Sequence, residues 1–291
     1  MAQTRRQIEA LLNGAGIRPL KRFGQNFLID GNLIRKLVQA AEIRPDDVVL
    51  EVGPGTGTLT EELLAVAGHV VAVEIDKGLA GICRDRFGGN DRFTLLHTDV
   101  LECKSRIAAA VLETLHDRQQ RLGGRMMLVA NLPYQAATPL IVDLLLGRDP
   151  VSPLCFTVQA EVADRLLATA GGKDYGPISI YAQALADSRR IARLGPQSFW
   201  PAPQVDSAMV RLDVRADQTV ELKASLARVV HACFLHRRKT LKWSLRQFLD
   251  DAALARVAAD GRWDLEARPE QLTVGQWVDL AGFLVESPPS R

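Results

Sequence analysis

No stretch of this 291-residue sequence approaches the ~18–20 consecutive apolar residues that a membrane-spanning helix needs. The N-terminus also lacks the apolar core of a secretory signal. It is basic, but its first motif begins by Lys21, which leaves little chain for a cleaved transit peptide. Cysteine is scarce. Cys83, Cys103, Cys155 and Cys233 form no C-x-x-C pair, which argues against a zinc site and for free thiols in a reducing, cytoplasmic compartment. No internal repeat or low-complexity tract is present. The net charge is only +2, so any affinity for a polyanion must come from local clustering. What remains, 47% hydrophobic and 24% charged residues, is the composition of a globular protein of one large or two smaller domains.

The stretch that organises the chain is Asn131-Leu132-Pro133-Tyr134. It comes after the apolar run Met126 to Ala130, which reads as a buried parallel strand. The carboxyl end of such a strand faces the crevice where open α/β sheets bind ligands. An Asn side-chain oxygen and a backbone carbonyl can each accept a hydrogen bond from an exocyclic amino group. Pro133 stiffens the turn, and Tyr134 offers a face for a base to stack on. The plainer alternative is a strand-to-loop turn with ordinary breakers.

A second strand, Val48 to Val52, runs into Gly53-Pro54-Gly55-Thr56-Gly57 and then a helix. Glycines here let the backbone turn tightly and approach a ligand. The spacing is G-x-G-x-G rather than the G-x-G-x-x-G of dinucleotide sites, which disfavours a pyrophosphate cofactor. The next strand, Val70 to Val73, ends in Glu74, placed to accept both hydroxyls of a ribose. The alternative for Glu74 is a capping or surface acid. After the strand Phe93 to Leu96, Asp99 is placed to accept from an adenine amino group, and His97 reads as a loop residue.

Elsewhere the pattern predicts a short N-terminal helix over Gln7 to Leu12 and an amphipathic helix from Leu33 to Ala41, capped by Asp30 or Asn32. It also predicts a helix from Leu140 after Thr138-Pro139, a strand from Leu154 to Val158 and a helix from Glu161 to Ala168. Residues 178–186 are ambiguous. Ile191 to Leu194 and Ala208 to Leu212 read as a closing antiparallel pair. Between them, the prolines of Phe199-Trp200-Pro201-Ala202-Pro203 hold a loop extended. Phe199 is placed there either as a second jaw opposite Tyr134 or as a packed aromatic. Near Asp217 strand–helix alternation gives way to helices, and the domain boundary is set there. A helix over 225–249 carries Arg238, Lys242 and Arg246 at i, i+4 spacing, with Arg237 and Lys239 beside them and no acid from His236 to Arg246. That is the footprint of a phosphate-backbone surface. Arg5, Arg6, Arg18, Lys21 and Arg22 make the N-terminal arm basic, either as a solvated tail or as a guide for a polyanion.

Taken together, Lys21 to Leu28, Glu51 to Gly57, Glu74, Asp99, Asn131 to Tyr134, Tyr175-Gly176 and Phe199 to Ser207 resemble the ribosomal small-subunit (16S) RNA adenine dimethyltransferases, in that family's order and over nearly the whole chain. The resemblance implies an α/β fold: a Rossmann-like class I methyltransferase domain with a mainly parallel sheet over 1–217, and a small all-α RNA-binding domain over 218–291. It implies S-adenosylmethionine as cofactor, with Asn26, Leu28, Gly53, Gly55, Glu74, Asp99 and Asn131 around it, and no metal. Asn131, Leu132 and Tyr134 would hold the target adenine and Phe199 would stack on it. The implied reaction methylates N6 of two adjacent adenosines in the 3′-terminal hairpin loop of small-subunit rRNA, each twice. The implied partner is this rRNA within an assembling 30S subunit, approached by a monomer with no membrane association. Ala160 and Gln204 stand where the family often has Lys, and Glu102 to Arg125 looks longer than usual. Two other readings compete: a large-subunit (23S) rRNA adenine methyltransferase of the macrolide-resistance kind, typically with Ile where Leu132 stands, and a non-catalytic ribosome-assembly factor. A DNA adenine methyltransferase fits less well, since its motif usually continues Pro-Pro-Tyr.

Overall fold

The computed structural model describes residues 3–18, 25–103 and 105–286. The expected guiding role of Lys21 and Arg22 lies outside the described residues. Strands are β1 (Phe27–Leu28), β2 (Val48–Val52), β3 (His69–Glu74), β4 (Phe93–His97), β5 (Leu101–Glu102), β6 (Arg106–Ile107), β7 (Met126–Asn131), β8 (Val151–Gln159), β9 (Ala186–Leu194), β10 (Phe199–Trp200) and β11 (Ser207–Val214). Helices α1 to α6 are Arg5–Gly14, Gly31–Ala41, Thr58–Leu64, Lys77–Phe87, Ala109–Leu122 and Tyr134–Leu146. Helices α7 to α12 are Ala160–Leu166, Pro177–Leu185, Val220–Phe234, Leu241–Leu245, Asp251–Asp260 and Val274–Glu286.

The chain forms two compact units. The first comprises residues 1–144, 149–163 and 189–214, and the second 145–148, 164–188 and 215–291. The second therefore takes in residues ahead of the 217/218 division as well as those after it.

In the first unit, seven strands run in the order β4-β3-β2-β7-β8-β11-β9. β4, β3, β2, β7 and β8 are parallel, and β11 joins β8 antiparallel. β2 and β7 are central, with every residue of β2 and Met126 to Ala130 of β7 buried. That is why both read as continuous apolar runs rather than alternating ones. On one face, alternate residues Val49, Val70, Met127, Val129 and Cys155 pack with Ile34 and Leu37 of α2 and Leu59 and Leu63 of α3. From β2 the chain builds outward to β3 and β4, then returns to place β7 on the other side. The order reverses between β2 and β7, and the crevice outside their carboxyl ends is the expected ligand position.

Asp30 caps α2, its carboxylate accepting from the amides of Asn32 and Leu33. α6 begins at Tyr134 and contains Pro139, so proline does not start this helix as expected. A proline this near the N-terminus costs one internal hydrogen bond, and burial of Leu140, Ile141, Leu144 and Leu145 outweighs it.

In the second unit, α9 packs on α12, α8 and α10. Trp277 of α12 is fully buried against Phe234. The Tyr175 hydroxyl donates to the Leu272 carbonyl at 2.9 Å, and Ser225 Oγ donates to the Ala281 carbonyl at 2.9 Å. Of residues 178–186, whose pattern is ambiguous between helix and strand, 178–185 are helical, with Pro177 in the first turn, and Ala186 opens β9. The single helix expected over 225–249 is instead two, because Thr240 caps a new helix by accepting from the Trp243 amide.

Candidate active site at the reversal of strand order

A cleft of about 380 Å³ opens at the carboxyl ends of β2, β3 and β7. Asn26, Gly53, Gly55, Glu74, Asp99 and Asn131 all line it, with Leu132, Pro133 and Tyr134 at one end. Of the expected cofactor residues, Leu28 alone does not line the cleft; it is buried in the core.

The glycine loop is held from every side. Gly53 and Gly55 have φ of +72° and +60°, a region that L side chains rarely adopt. A Cβ on Gly53 would meet Pro133 Cγ at 3.0 Å, and one on Gly55 would strike Phe27 Cε1 at 2.8 Å. The cleft wall is therefore a cradle of bare backbone. Several of its peptide groups are already paired: Gly53 N donates to the Val73 carbonyl, Gly55 N to Glu74, and Gly57 N to the Pro54 carbonyl. The Gly55 carbonyl accepts from Cys83 Sγ, and the Thr56 carbonyl accepts from both Gln3 Nε2 and Arg86.

Gln3 is a contributor that the sequence did not announce. It is buried, and its Oε1 accepts from Thr56 Oγ1 at 2.6 Å and Thr58 Oγ1 at 2.9 Å. α1, capped by Thr4, places it there by burying Ile8 and Leu12 with Phe27, Leu79 and Ile82. The described part of the arm is thus a packed helix, not a solvated tail. The visible signal was Ile8, Leu11 and Leu12 at helical spacing.

Glu74 is only 4% exposed. Its Oε2 accepts from Gly55 N at 3.2 Å and its Oε1 from Asp76 N at 2.9 Å, which leaves lone pairs on both oxygens for a ligand. Burial pushes its pKa up, and the backbone amides oppose this. Behind it, Glu51 is 1% exposed and accepts from Thr60 Oγ1 at 2.7 Å. Burial raises Glu51 to about 8, and the nearby Glu74 charge adds to the rise. Asp99 is exposed, and its Oδ1 accepts from Leu101 N at 2.9 Å. Ile75, 44% exposed beside Glu74, gives the cleft an apolar surface suited to a flat ring. An apolar residue directly after the acid at a strand tip was its sequence signal.

Asn131 Nδ2 donates to the Asn26 carbonyl at 2.9 Å, and its Oδ1 accepts from Thr157 Oγ1. Leu132 N donates to the Thr157 carbonyl at 3.3 Å. The Tyr134 hydroxyl hydrogen-bonds Ser207 Oγ at 2.9 Å, and burial raises its pKa.

Phe199 is not presented to the cleft. It pairs with Leu28 in the β1–β10 ladder, is 3% exposed and packs in the core. Alternation along the strand explains this correction: Phe199 turns inward, and Trp200 turns out to stack on Phe27 at 6.2 Å.

In the second unit, residues 235–239 form an exposed turn between α9 and α10, so Arg237, Arg238 and Lys239 ride on a turn rather than on one helical face. Acids from later in the chain enter the cluster. Arg237 Nη2 lies 2.7 Å from Glu270 and Lys242 Nζ 3.9 Å from Glu266. Lys239 sits over the Trp243 ring at 5.7 Å, and Arg246 is exposed at the end of α10.

Bare loop backbone, a buried acid and an exposed apolar side chain around one cleft fit a nucleoside-bearing cofactor such as S-adenosylmethionine. Comparison with known proteins finds methyltransferases. The chain is 41% identical over 282 residues to the ribosomal RNA small subunit methyltransferase A of Streptomyces coelicolor, covering 94% of each chain. It is 40% identical to the protein of that name from Moorella thermoacetica, covering 94% of this chain and 96% of the relative. The fold is shared with a dimethyladenosine transferase from Plasmodium falciparum (TM-score 0.70, 21% identity, 89% of this chain and 98% of that one). It is also shared with the 23S rRNA methyltransferase ErmE (TM-score 0.61, 24% identity, 89% and 99%). The sequence profile of the ribosomal RNA adenine dimethylases matches residues 18–286, and the chain belongs to that family.

Proposed function

We propose that this protein transfers methyl groups from S-adenosylmethionine to N6 of two adjacent adenosines in the 3′-terminal hairpin loop of small-subunit rRNA, giving N6,N6-dimethyladenosine. The observation that carries the reading is the Asn131–Leu132 turn, fixed at the mouth of the cofactor cleft by Asn26 and Thr157. S-adenosylmethionine, when bound, supplies an electrophilic methyl group on a sulfonium.

The chain's own task is orientation. An adenine N6 lone pair is delocalised into the ring and is a poor nucleophile. Asn131 Oδ1 and the Leu132 carbonyl accept its two N–H groups, favouring a pyramidal nitrogen whose lone pair faces the methyl donor. Tyr134, tethered at its hydroxyl by Ser207, offers its ring to the flipped or unpaired base. Glu74 holds the ribose hydroxyls and Asp99 the cofactor's adenine. No separate base is needed, since the proton leaves after the nitrogen has become cationic. Arg237, Arg238, Lys239, Lys242 and Arg246 serve the RNA backbone, with the second, helical unit as the RNA-binding part and the first, sheet-bearing unit as the catalytic one. The protein works in the cytoplasm as a monomer on an assembling 30S particle, and it has a role in subunit biogenesis beside catalysis.

The test is methyl transfer from labelled S-adenosylmethionine to unmethylated small subunits, large subunits and naked rRNA, with subsequent digestion to nucleosides. Dimethyladenosine formed on small-subunit RNA is the expected result. Label in large-subunit RNA would reassign the enzyme to the resistance type, and tight binding without label would leave an assembly factor.

A further inference from the structure

The hydrogen bonds around Asn131 define the orientation of its amide. The Asn26 carbonyl can only accept, so Nδ2 must face it and Oδ1 must face Thr157. The Thr157 hydroxyl is therefore the donor in that contact. Thr157 is 1% exposed and lies opposite Asn131 in the parallel β7–β8 ladder. The same residue's carbonyl accepts the Leu132 amide. One buried threonine thus holds the Asn131 side-chain oxygen through its hydroxyl and, through its own carbonyl, the Leu132 amide, one peptide unit ahead of the Leu132 carbonyl that the proposed function assigns to the target amine.

We propose that Thr157 is a positioning residue for methyl transfer, and that its hydroxyl matters most for the second transfer to each adenosine. This rests on the reading that Asn131 and Leu132 hold N6. Adenosine presents two N–H groups, so both acceptors engage it and either alone limits its rotation. N6-methyladenosine presents one. Its orientation then depends on a single hydrogen bond, and any looseness in the acceptor acts in full on the reacting geometry. Oδ1 is an sp² oxygen with two lone pairs, so the Thr157 donor occupies one and leaves the other for substrate.

Thr157→Val removes the hydroxyl at nearly constant shape, and Thr157→Ser restores it. Both would be assayed on unmethylated small subunits, with kcat, KM for S-adenosylmethionine and the ratio of mono- to dimethyladenosine as readouts. For Thr157→Val we expect kcat to fall about tenfold, roughly the effect of one lost hydrogen bond. Monomethyladenosine should accumulate and KM should stay within about twofold, as befits a role in orientation. Thr157→Ser should return the product ratio to that of the wild type. A wild-type rate and product ratio in Thr157→Val would overturn the proposal. So would equal loss in both variants accompanied by weakened cofactor binding, which would mark a merely structural residue. Failure of the unsubstituted enzyme to form dimethyladenosine would instead overturn the proposed function.

Discussion

Asn131 Nδ2 donates to the Asn26 carbonyl at 2.9 Å, joining positions 105 residues apart at the mouth of the cleft. Asn131→Ala would remove this tie and the proposed acceptor for N6 together. Single-turnover methylation should slow about 10²–10³-fold, the range for deleting one preorganised polar group. Melting should shift little, because the residue is half-buried at a strand end.

Glu74 accepts one backbone amide on each carboxylate oxygen. Glu74→Gln replaces one acceptor with a donor that faces an N–H. Titration calorimetry should show S-adenosylmethionine binding weakened by about 10- to 100-fold, since a charge-assisted bond is lost as well. Unchanged affinity would remove Glu74 from the cofactor site.

Glu51 gives a pH signature. The unfolded chain releases this proton near the ordinary 4.5, whereas the folded protein holds it to about 8. Its contribution is therefore complete below about 4.5, declines as pH rises and levels off above about 8. Glu51→Gln stays neutral and can still accept from Thr60. The variant should gain stability relative to wild type on going from pH 5 to pH 8, by up to a few kcal/mol. Parallel melting curves across that range would show that Glu51 is ionised in the native state.

The basic turn should act through salt-dependent binding. Arg238→Ala and Lys239→Ala should each reduce the slope of log K against log salt by about 0.7–0.9 if each meets one phosphate. Arg237→Ala should have a smaller effect on the slope, because that guanidinium already neutralises Glu270. Filter binding to small-subunit RNA at several salt concentrations measures this directly.

The cleft was largely legible because it depends on short-range order. A strand buried on both faces shows itself as an unbroken apolar run, and the residues just beyond its last apolar position must lie at the sheet's edge. Hence Glu74, Asp99 and Asn131 read as strand-end residues, and the family resemblance grouped them with Gly53 around one cofactor. Contacts made across the chain were not legible. Phe199 faces inward because its ladder with Leu28 sets which side of the strand it occupies. The acid-free run from His236 to Arg246 looked uniformly positive, yet Glu266 and Glu270 reach it from later in the chain. Thr157 and Gln3 act through partners 26 and 53 or more residues away, and neither sits in a motif.

The helical unit is threaded, not appended. It gathers residues 145–148 and 164–188 as well as everything after 214. A single genetic crossover cannot transplant it, because α8 and Tyr175, which hold α9, α12 and Leu272, would stay behind with the donor. Recombination between relatives would therefore tend to exchange this protein whole. A chimera that exchanges this unit would need three segments replaced together, at five junctions.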